Sequence, residues 1–411
     1  MTLERLAGDA VVEIRTSTGP DVWTAVTCQV VSASAVSGSG KPAGILTQAE
    51  PGGLELELYD PDRLLDPMNG SSPYAGLIRP GLPIRLSHDD GTRTLIKSAV
   101  IDSVEHELGE STGRIRANDW ISWASNYSYP NPPAGSSSMA SADTLKKLAD
   151  LLLTFVNART TAAGVPAVPW TVDASMPTVP VQIIGYGSGA TFFGPTIWGH
   201  LAGAAEAYLY SLWMDTNLVI RATDAMAPHG PVLEIGLAGP VPLGFIGRVS
   251  AEGIINFLSF VWAAAGPTGG GLTYSRYRET SMLRHGIHTY SSPRALPQSG
   301  RFGSTNTTAP DNYATAVLDD RAEPRLEAVP LRIWPSSGAE LRSLLGVTPM
   351  QQVHLEFDQP PFEAYARAVG AVVSVDPDGW AVELVTYLVP ADVPLVAVER
   401  SRRFDAELVP A

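Results

Sequence analysis

Two histidines three positions apart are the first candidates for metal chemistry. His285 and His288 could share one metal ion only on a helix, because residues i and i+3 of a strand point to opposite faces. The segment around them is rich in strand-forming residues and lacks the glutamate of the H-E-x-x-H zinc motif. The pattern therefore favours two structural histidines over a metal pair.

Three aspartates, Asp60, Asp62 and Asp66, follow one apparent strand and could be taken for a calcium loop. Their spacing lacks the D-x-D-x-D-G order of such loops. Pro61 and Pro67 stand directly beside them, and aspartate next to proline is typical of turns. We therefore predict turn chemistry and no metal site here.

The sequence shows no residue pattern typical of a nucleotide cofactor site or of a catalytic cysteine. Gly185, Gly187 and Gly189 do not form G-x-G-x-x-G between a strand and a helix, so no nucleotide site is predicted. The single cysteine, Cys28, falls in an apparent strand, where a catalytic thiolate is unexpected. We predict that the chain is not an enzyme and carries no cofactor.

The stretch from Leu54 to Leu86 organises the N-terminal part of the chain. Leu54, Leu56 and Leu58 alternate with polar residues, which predicts a strand with one apolar face. A loop of about twenty residues follows before a second alternating strand begins at Leu82. An irregular loop of this length between two strands is uncommon unless it has a function.

The loop carries ten residues whose order forms a recognisable pattern: Asp60, Asp66, Pro67, Asn69, Ser72, Pro73, Tyr74, Arg79, Pro80 and Gly81. In motif form they read D-x-x-x-x-x-D-P-x-N, S-S-P-Y and R-P-G-x-P-[IV]-R. This order resembles the N-terminal region of the tail hub proteins, or minor tail proteins, of long-tailed (siphovirus-type) phages of actinobacteria. Those proteins are related to the baseplate hub of contractile tails.

Composition excludes several classes of protein. Hydrophobic residues make up 45% and charged residues 17%, which argues against disorder along the whole chain. Glycine and proline number 38 and 34, which favours many short strands joined by turns. The net charge of −14 argues against a surface that binds nucleic acid through its phosphates. The apolar run 253–266 is too short to span a bilayer, and the first fifteen residues do not read as a signal peptide.

The order of patterns predicts a mainly β fold with an α+β insertion. We expect two tandem, similar small β-barrels at residues 1–118 and 236–395, with an α/β domain at 119–235 between them and an extension at 396–411. Apolar spacing predicts helices at 142–158 and 196–212 and strands at 22–36 and 179–184. Residues 312–325 resemble a helix that precedes a strand in the tail hub family, so the resemblance implies a further helix there.

An internal repeat supports the tandem arrangement. A shift of 269 residues places Pro80, Ile84 and Leu86 on Pro349, Val353 and Leu355. The same shift places Ala99 on Ala368 and Val104 on Val373, and a small length change then places Gly113 on Gly379, which is followed by Trp380. Coincidence of β patterning is the alternative, because apolar alternation is common.

The resemblance implies a structural role in the virion. It implies a homotrimeric hub at the tail tip that contacts the distal tail protein, the tape measure protein and the central fibre or other minor tail proteins. It also implies synthesis in the bacterial host cytoplasm, and genome passage through a lumen without sequence-specific DNA binding. Two alternatives stay open: a receptor-binding or glycan-binding tail protein, for which nine tryptophans could line a groove, and a peptidoglycan hydrolase of the tip.

Overall fold

A computed structural model describes the chain over ranges separated by gaps. These are residues 9–15, 22–39, 46–75, 78–107, 109–126, 144–162, 170–178, 196–206, 208–227, 229–243, 247–250, 253–263, 271–291, 296–297, 308–328, 330–358 and 361–388. The predicted C-terminal extension, the predicted strand at 179–184 and the glycines at 185–189 lie outside the described residues.

Strands make up the largest share of the described structure. They are β1 Asp9–Arg15, β2 Trp23–Ala25, β3 Gln29–Gly38, β4 Gly53–Tyr59, β5 Pro83–Asp89, β6 Arg93–His106, β7 Thr112–Asn118, β8 Thr171–Val172, β9 Tyr210–Met214, β10 Val219–Asp224, β11 His229–Gly236, β12 Gly247–Ser250, β13 Phe257–Ala263, β14 Gly271–Tyr277, β15 Thr289–Ser291, β16 Leu296–Pro297, β17 Arg325–Ala328, β18 Leu331–Ile333, β19 Gln351–Asp358, β20 Pro361–Asp376 and β21 Gly379–Leu388. The helices are α1 Trp120–Asn126, α2 Leu145–Ala162, α3 Ile197–Glu206, α4 Glu279–His285, α5 Thr308–Arg321 and α6 Gly338–Leu345.

One sheet of twelve strands runs through both ends of the chain. Its order is β11-β19-β20-β3-β4-β7-β6-β5-β1-β2, and β21 pairs with both β18 and β20. The predicted mainly β architecture is therefore confirmed. Within the described residues the ladder of paired strands is open, so it does not by itself contain a closed barrel.

The first unit of this sheet, β1 to β7, follows directly from alternation in the sequence. Leu54, Leu56 and Leu58 of β4 are each 3% exposed or less and face the core, while Glu55 and Glu57 face outward. Burying three leucines contributes about 5–9 kcal/mol of hydrophobic stabilisation as an upper bound. The same core takes apolar side chains from both ends of the chain.

The second unit consists of β11, β12 and β17 to β21. Val353 and Leu355 of β19 are fully buried, as are Val382 and Leu384 of β21. These residues belong to the same apolar cluster as the leucines of β4. The two units are joined by an antiparallel pairing of β20 with β3, which makes the large sheet continuous.

Between these two units in the sequence lies a smaller α/β layer. The sheet β8-β10-β9 has a parallel and an antiparallel pairing, and helices α1, α2 and α3 contribute to its core. Leu145, Leu148, Leu152 and Val156 recur at helical spacing along α2 and are each 3% exposed or less. The described residues between 119 and 235 thus combine helices with a small mixed sheet.

Several predicted elements are corrected by the structure. The single strand expected over 22–36 is interrupted between β2 and β3. The helix expected over 196–212 ends at Glu206, because Tyr210–Met214 pairs with β10 instead. The helix expected over 312–325 starts earlier, at Thr308, and ends at Arg321. Helix α6 was not predicted, although Ser337 caps it by accepting the Glu340 backbone N–H.

No helix in the described ranges combines the length and apolar character needed to cross a bilayer.

Candidate functional site

Asp60 anchors the loop between β4 and β5. Its carboxylate accepts the backbone N–H groups of Leu64 and Leu65, each at 2.7 Å. The thiol of Cys28 donates to the same carboxylate at 3.7 Å, and His106 Nε2 lies 3.5 Å from it. Asp60 is 1% exposed, so these partners replace the water it loses on folding. The aspartate closes a turn, as the sequence predicts.

Asp66 and Asn69 organise the next part of the loop in the same way. Asp66 accepts the backbone N–H of Met68 at 2.9 Å and a guanidinium N–H of Arg63. The Met68 N–H is the largest cause that holds the pKa of Asp66 below its ordinary value. Asn69 donates to the Arg63 carbonyl at 2.9 Å and accepts the Ser71 N–H at 3.2 Å. These oxygens and amides stabilise the backbone of the loop itself.

Ser72 and Tyr74 tie the loop to the rest of the first unit. The Ser72 hydroxyl donates to the Leu64 carbonyl and accepts the Tyr74 backbone N–H, the latter at 3.0 Å. The buried Tyr74 hydroxyl accepts the Thr27 backbone N–H at 2.8 Å. Because Thr27 lies between β2 and β3, the motif connects three segments of the chain.

The remaining motif residues face outward. Pro67, Pro73, Arg79 and Pro80 are exposed, so the loop presents a proline-rich surface on a fixed backbone. The motif therefore divides into an inner set that shapes the loop and an outer set available for contacts with other molecules.

The structure places Gly81 and Met350 at matching turns before β5 and β19. The backbone N–H of Gly81 donates to the Ile101 carbonyl at 2.8 Å, and that of Met350 donates to the Ala368 carbonyl at 2.8 Å. Pro80 and Pro349, which the sequence repeat aligned, precede these two residues. The proline match at a shift of 269 is thus a match of local structure.

The repeat extends to the order of strand pairing. In the first unit β4 pairs with β7, β7 with β6, and β6 with β5. In the second unit β18 pairs with β21, β21 with β20, and β20 with β19. The long central strands also carry a register irregularity at the same place, between Ile101 and Ser103 in β6 and between Ala368 and Gly370 in β20. The two units therefore share the topology of these four strands, and they differ at the next one, because β1 is antiparallel to β5 whereas β11 is parallel to β19.

The registers correct part of the sequence alignment. Ile84 and Val353 match as predicted, but Ile101 of β6 matches Ala368 of β20, an offset of 267. Val104 consequently matches Ala371 and not Val373. By the same offset, Ala99 corresponds to Ala366 and not to Ala368.

Gly379 was also aligned to the wrong position. Gly113 pairs with His106 at the end of its hairpin, and the equivalent second-unit pair is Val373 with Val382. The hairpin of the second unit continues for three more pairs and ends at Asp376 and Gly379. Gly379 therefore has no counterpart in the shorter hairpin of β6 and β7.

Trp380 has a core role that links the two units. It is fully buried, and its ring lies 5.2 Å from that of His88 in an edge-to-face arrangement. His88 belongs to β5 of the first unit and is itself fully buried. Sequence reasoning singled out Trp380 but gave no signal for its partner.

A buried ion pair was missed at the sequence level. Lys97 Nζ lies 3.1 Å from Asp119 Oδ2 and donates to Ser37 Oγ at 2.9 Å. Asp119 also accepts the backbone N–H groups of Gly52 and Ser122, the second as the cap of α1. Single lysines and aspartates have no spacing pattern, so only the fold could bring these residues together.

Each histidine of the pair His285 and His288 contacts other groups of the protein. His285 ends α4 and lies 3.1 Å from the Glu323 carboxylate, whereas His288 Nε2 contacts the His285 carbonyl at 2.9 Å. The buried Asn256 accepts the His288 backbone N–H at 2.8 Å. In the described part of the chain no three His, Cys, Asp or Glu side chains converge as a metal site would need.

One segment of the chain matches the serine-hydrolase motif G-x-S-x-G. It spans Gly109 to Gly113, from the connection after β6 into the first two residues of β7. A nucleophile elbow requires a turn from a strand into a helix, and this connection joins two strands. The Ser111 carbonyl accepts the Asp60 N–H at 2.7 Å, which gives the segment a structural role.

The fold resembles two solved structures of tail proteins. A tail protein from Neisseria meningitidis MC58 is 14% identical with a TM-score of 0.52, and the match covers 92% of this chain and 96% of that chain. The 43 kDa tail protein of prophage MuSo2 from Shewanella oneidensis is 14% identical with a TM-score of 0.54, covering 93% and 98%. No family model and no curated protein matches the sequence. The chain thus has the fold of these two tail proteins.

Proposed function

We propose that this chain is a structural hub protein of a phage tail tip. Three copies would form a ring that joins the end of the tail tube to the central fibre or spike. In this proposal the ring gates passage of the genome, and the protein has no catalytic role.

The single observation that carries the proposal is the repeated topology of the two units. A tail tube has sixfold symmetry in the family that the motif loop resembles. Three chains with two similar units each present six near-equivalent units, which matches a threefold ring to a sixfold tube. Each unit would act as one small barrel module, with the first at 1–118, the second at 236–395 and the α/β domain at 119–235 between them.

Charge supports the passage of DNA through the ring. The net charge of −14 repels a polyanion, so an acidic lumen would keep the genome from adhering during ejection. This is also why we assign the protein no sequence-specific nucleic-acid contact.

Partners follow from the position at the tail tip. We propose contacts with the distal tail protein, the tape measure protein and the central fibre or other minor tail proteins, in a virion assembled in the host cytoplasm. The exposed prolines and Arg79 of the motif loop are a rigid surface suited to such a contact.

The glycan-binding alternative loses support from the position of the tryptophans. Five of them lie in the core at 8% exposure or less: Trp120, Trp170, Trp198, Trp213 and Trp380. A carbohydrate groove needs exposed rings, and these rings contact apolar neighbours instead.

Electron microscopy of the purified protein tests the proposal. We expect negative-stain class averages of threefold rings with six lobes and a central opening. Compact particles without a ring would contradict it. Binding on a glycan array would instead favour the receptor-binding alternative, and release of peptidoglycan fragments would favour the hydrolase alternative.

A further inference from the structure

Two strand edges lack a paired strand within the described ranges. Beyond Ile101, β6 pairs with β7 on one edge only, because the pairing with β5 stops at Val100. Strand β12 pairs only with β17 among the described strands. Unpaired edges carry backbone N–H and C=O groups that can accept another strand.

The second unit shows what covers the first of these edges. Residues Gly370 to Val375 of β20 correspond to the part of β6 that starts at Ser103. In the second unit this edge is paired antiparallel with Gly38 to Ala33 of β3, for example Ala371 with Ser37. The junction between the two units within one chain is therefore a strand pairing on this edge.

The counterpart of β3 in the second unit is the segment that includes β12. Pro242 pairs with Ile333 as Val30 pairs with Leu58, at the start of both ladders. The second ladder then reaches Gly247 paired with Ala328 without a net shift of register. β3 contains one additional residue at its irregularity after Val30, so Ser37 corresponds to Arg248, an offset of 211.

We propose that β12 of one chain pairs antiparallel with the free edge of β6 in a neighbouring copy. This pairing repeats between chains the junction that β3 and β20 make within one chain. By the offsets above, Val104 lies opposite Arg248 of the neighbour and Glu105 lies opposite Gly247. The inference rests on the proposed hub function, since it supplies the contact that closes a ring of three chains.

The charges on β6 and β12 favour a second copy of the chain as the strand that pairs with the β6 edge. The segment from Asp102 to Glu107 carries three carboxylates, and Asp102, Glu105 and Glu107 are all exposed. The β12 sequence Gly-Arg-Val-Ser contributes one cation, Arg248, and no acid. Strands of opposite charge attract across a ladder, whereas two copies of the β6 edge would repel each other.

The two edges are different surfaces, so the contact is head-to-tail. A heterologous contact produces a ring when its rotation closes. Each chain would use β6 toward one neighbour and β12 toward the other. The same arrangement covers both free edges, which otherwise invite uncontrolled strand addition.

The interchain ladder differs from the intrachain one at its end. Gly38 and Gly370 approach so closely that a Cβ on Gly38 would lie 2.5 Å from the Val369 carbonyl oxygen. The corresponding residues, Val249 and Ser103, cannot copy this approach. We therefore place the close pairs at Val104/Arg248 and Glu105/Gly247.

Engineered disulfides test the register. Two double variants are made in a Cys28→Ser background: Val104→Cys with Arg248→Cys, and Glu105→Cys with Gly247→Cys. After mild oxidation, each should link neighbouring chains by disulfides. Neighbouring pairs of an antiparallel ladder alternate between close and wide spacing, so the two designs sample both geometries. Val104→Cys with Gly247→Cys is the matched control, and it should remain unlinked because its side chains face opposite sides.

Charge reversal gives a second readout that does not depend on disulfides. Arg248→Glu should raise the dissociation constant of the trimer by about tenfold or more, since it replaces the cation of β12 with a carboxylate against an edge segment that already carries three. Asp102→Lys combined with Glu105→Lys should restore trimer formation in that variant. Arg332→Glu, an exposed arginine on the paired strand β18, is the control and should leave the trimer unchanged.

The outcomes separate this inference from the hub proposal. Disulfide-linked chains in both designs, together with restored trimer formation in the Arg248→Glu variant, support the inference. A stable trimer that links in neither design and tolerates Arg248→Glu overturns the inference while the hub proposal stands. A chain that stays monomeric at every concentration and does not link overturns both.

Discussion

Gly81 and Met350 both have a positive backbone φ angle at equivalent positions of the two units. Their φ angles are +89° and +68°, and they lie 269 residues apart. Glycine tolerates this conformation, whereas methionine is strained by it. Met350 is fully buried, and its packing offsets the strain. The same turn is therefore built with two different residues.

The first prediction concerns Gly81. A Cβ at this position meets no atom within 4 Å, so Gly81→Ala tests backbone strain alone. We expect it to lower the free energy of unfolding by about 1–2 kcal/mol, and Gly81→Asn by less, because asparagine tolerates the left-handed region. Urea denaturation measures both. Gly70→Ala, in open space and without a positive φ, is the control, and an equal loss there would contradict the strain argument.

The second prediction concerns Asp60. Asp60→Asn places an amide where two backbone N–H groups require acceptors, so one N–H loses its partner. We expect a loss of about 1–3 kcal/mol in the free energy of unfolding. Chemical denaturation should show it, while the exposed Asp62→Asn changes stability by less than about 0.5 kcal/mol. Equal losses of stability from the two substitutions would contradict the anchoring role of Asp60.

The third prediction concerns the thiol of Cys28. Burial, and then the charge of Asp60, raise the pKa of Cys28 to about 12. The folded protein should therefore react slowly with a thiol reagent at pH 8, and Asp60→Asn should accelerate the reaction. Because this pKa is raised, the protonated thiol contributes stability that is lost as the pH rises above 9, its ordinary value. Native labelling as fast as that of the unfolded chain would contradict this account.

The fourth prediction concerns acid stability. The backbone N–H of Ser175 is the largest cause that lowers the pKa of Asp173, with Arg221 contributing. Because the folded pKa lies below the ordinary value of 3.8, the unfolded chain binds more protons near that pH. The stability contributed by Asp173 is thus present above pH 3.8 and is lost as the pH falls through the folded value.

Thermal unfolding between pH 7 and pH 3 measures this dependence. Asp173→Asn should unfold at a lower temperature than the wild type at pH 7, and the difference should shrink toward pH 3. A difference that is independent of pH would show that the carboxylate charge is not the stabilising feature.

Much of the fold could be predicted because its strands alternate cleanly. β4 and β5 were recognisable from their leucines, and α2 from its helical spacing. The break between β2 and β3 was not recognisable, because the apolar pattern continues through Val26 and Cys28. Tyr210–Met214 read as the end of a helix because pairing with β10, a tertiary contact, decides its conformation.

The candidate site was predictable in its residues but not in its contacts. The motif loop was visible from Asp60 to Gly81, yet the partners Thr27 and His106 come from other segments. The repeat was visible at Pro80 and Pro349. Its later strands were misaligned because β20 and β21 form a longer hairpin than their counterparts, which the number of residues between two glycines cannot reveal.

The mass of the purified protein, measured by light scattering over a concentration series, tests the hub account most directly. A trimer predicts about 131 kDa, which is three times the chain mass of 43.6 kDa. A stable dimer of about 87 kDa or a tetramer of about 174 kDa, two or four times 43.6 kDa, would contradict a ring of six units.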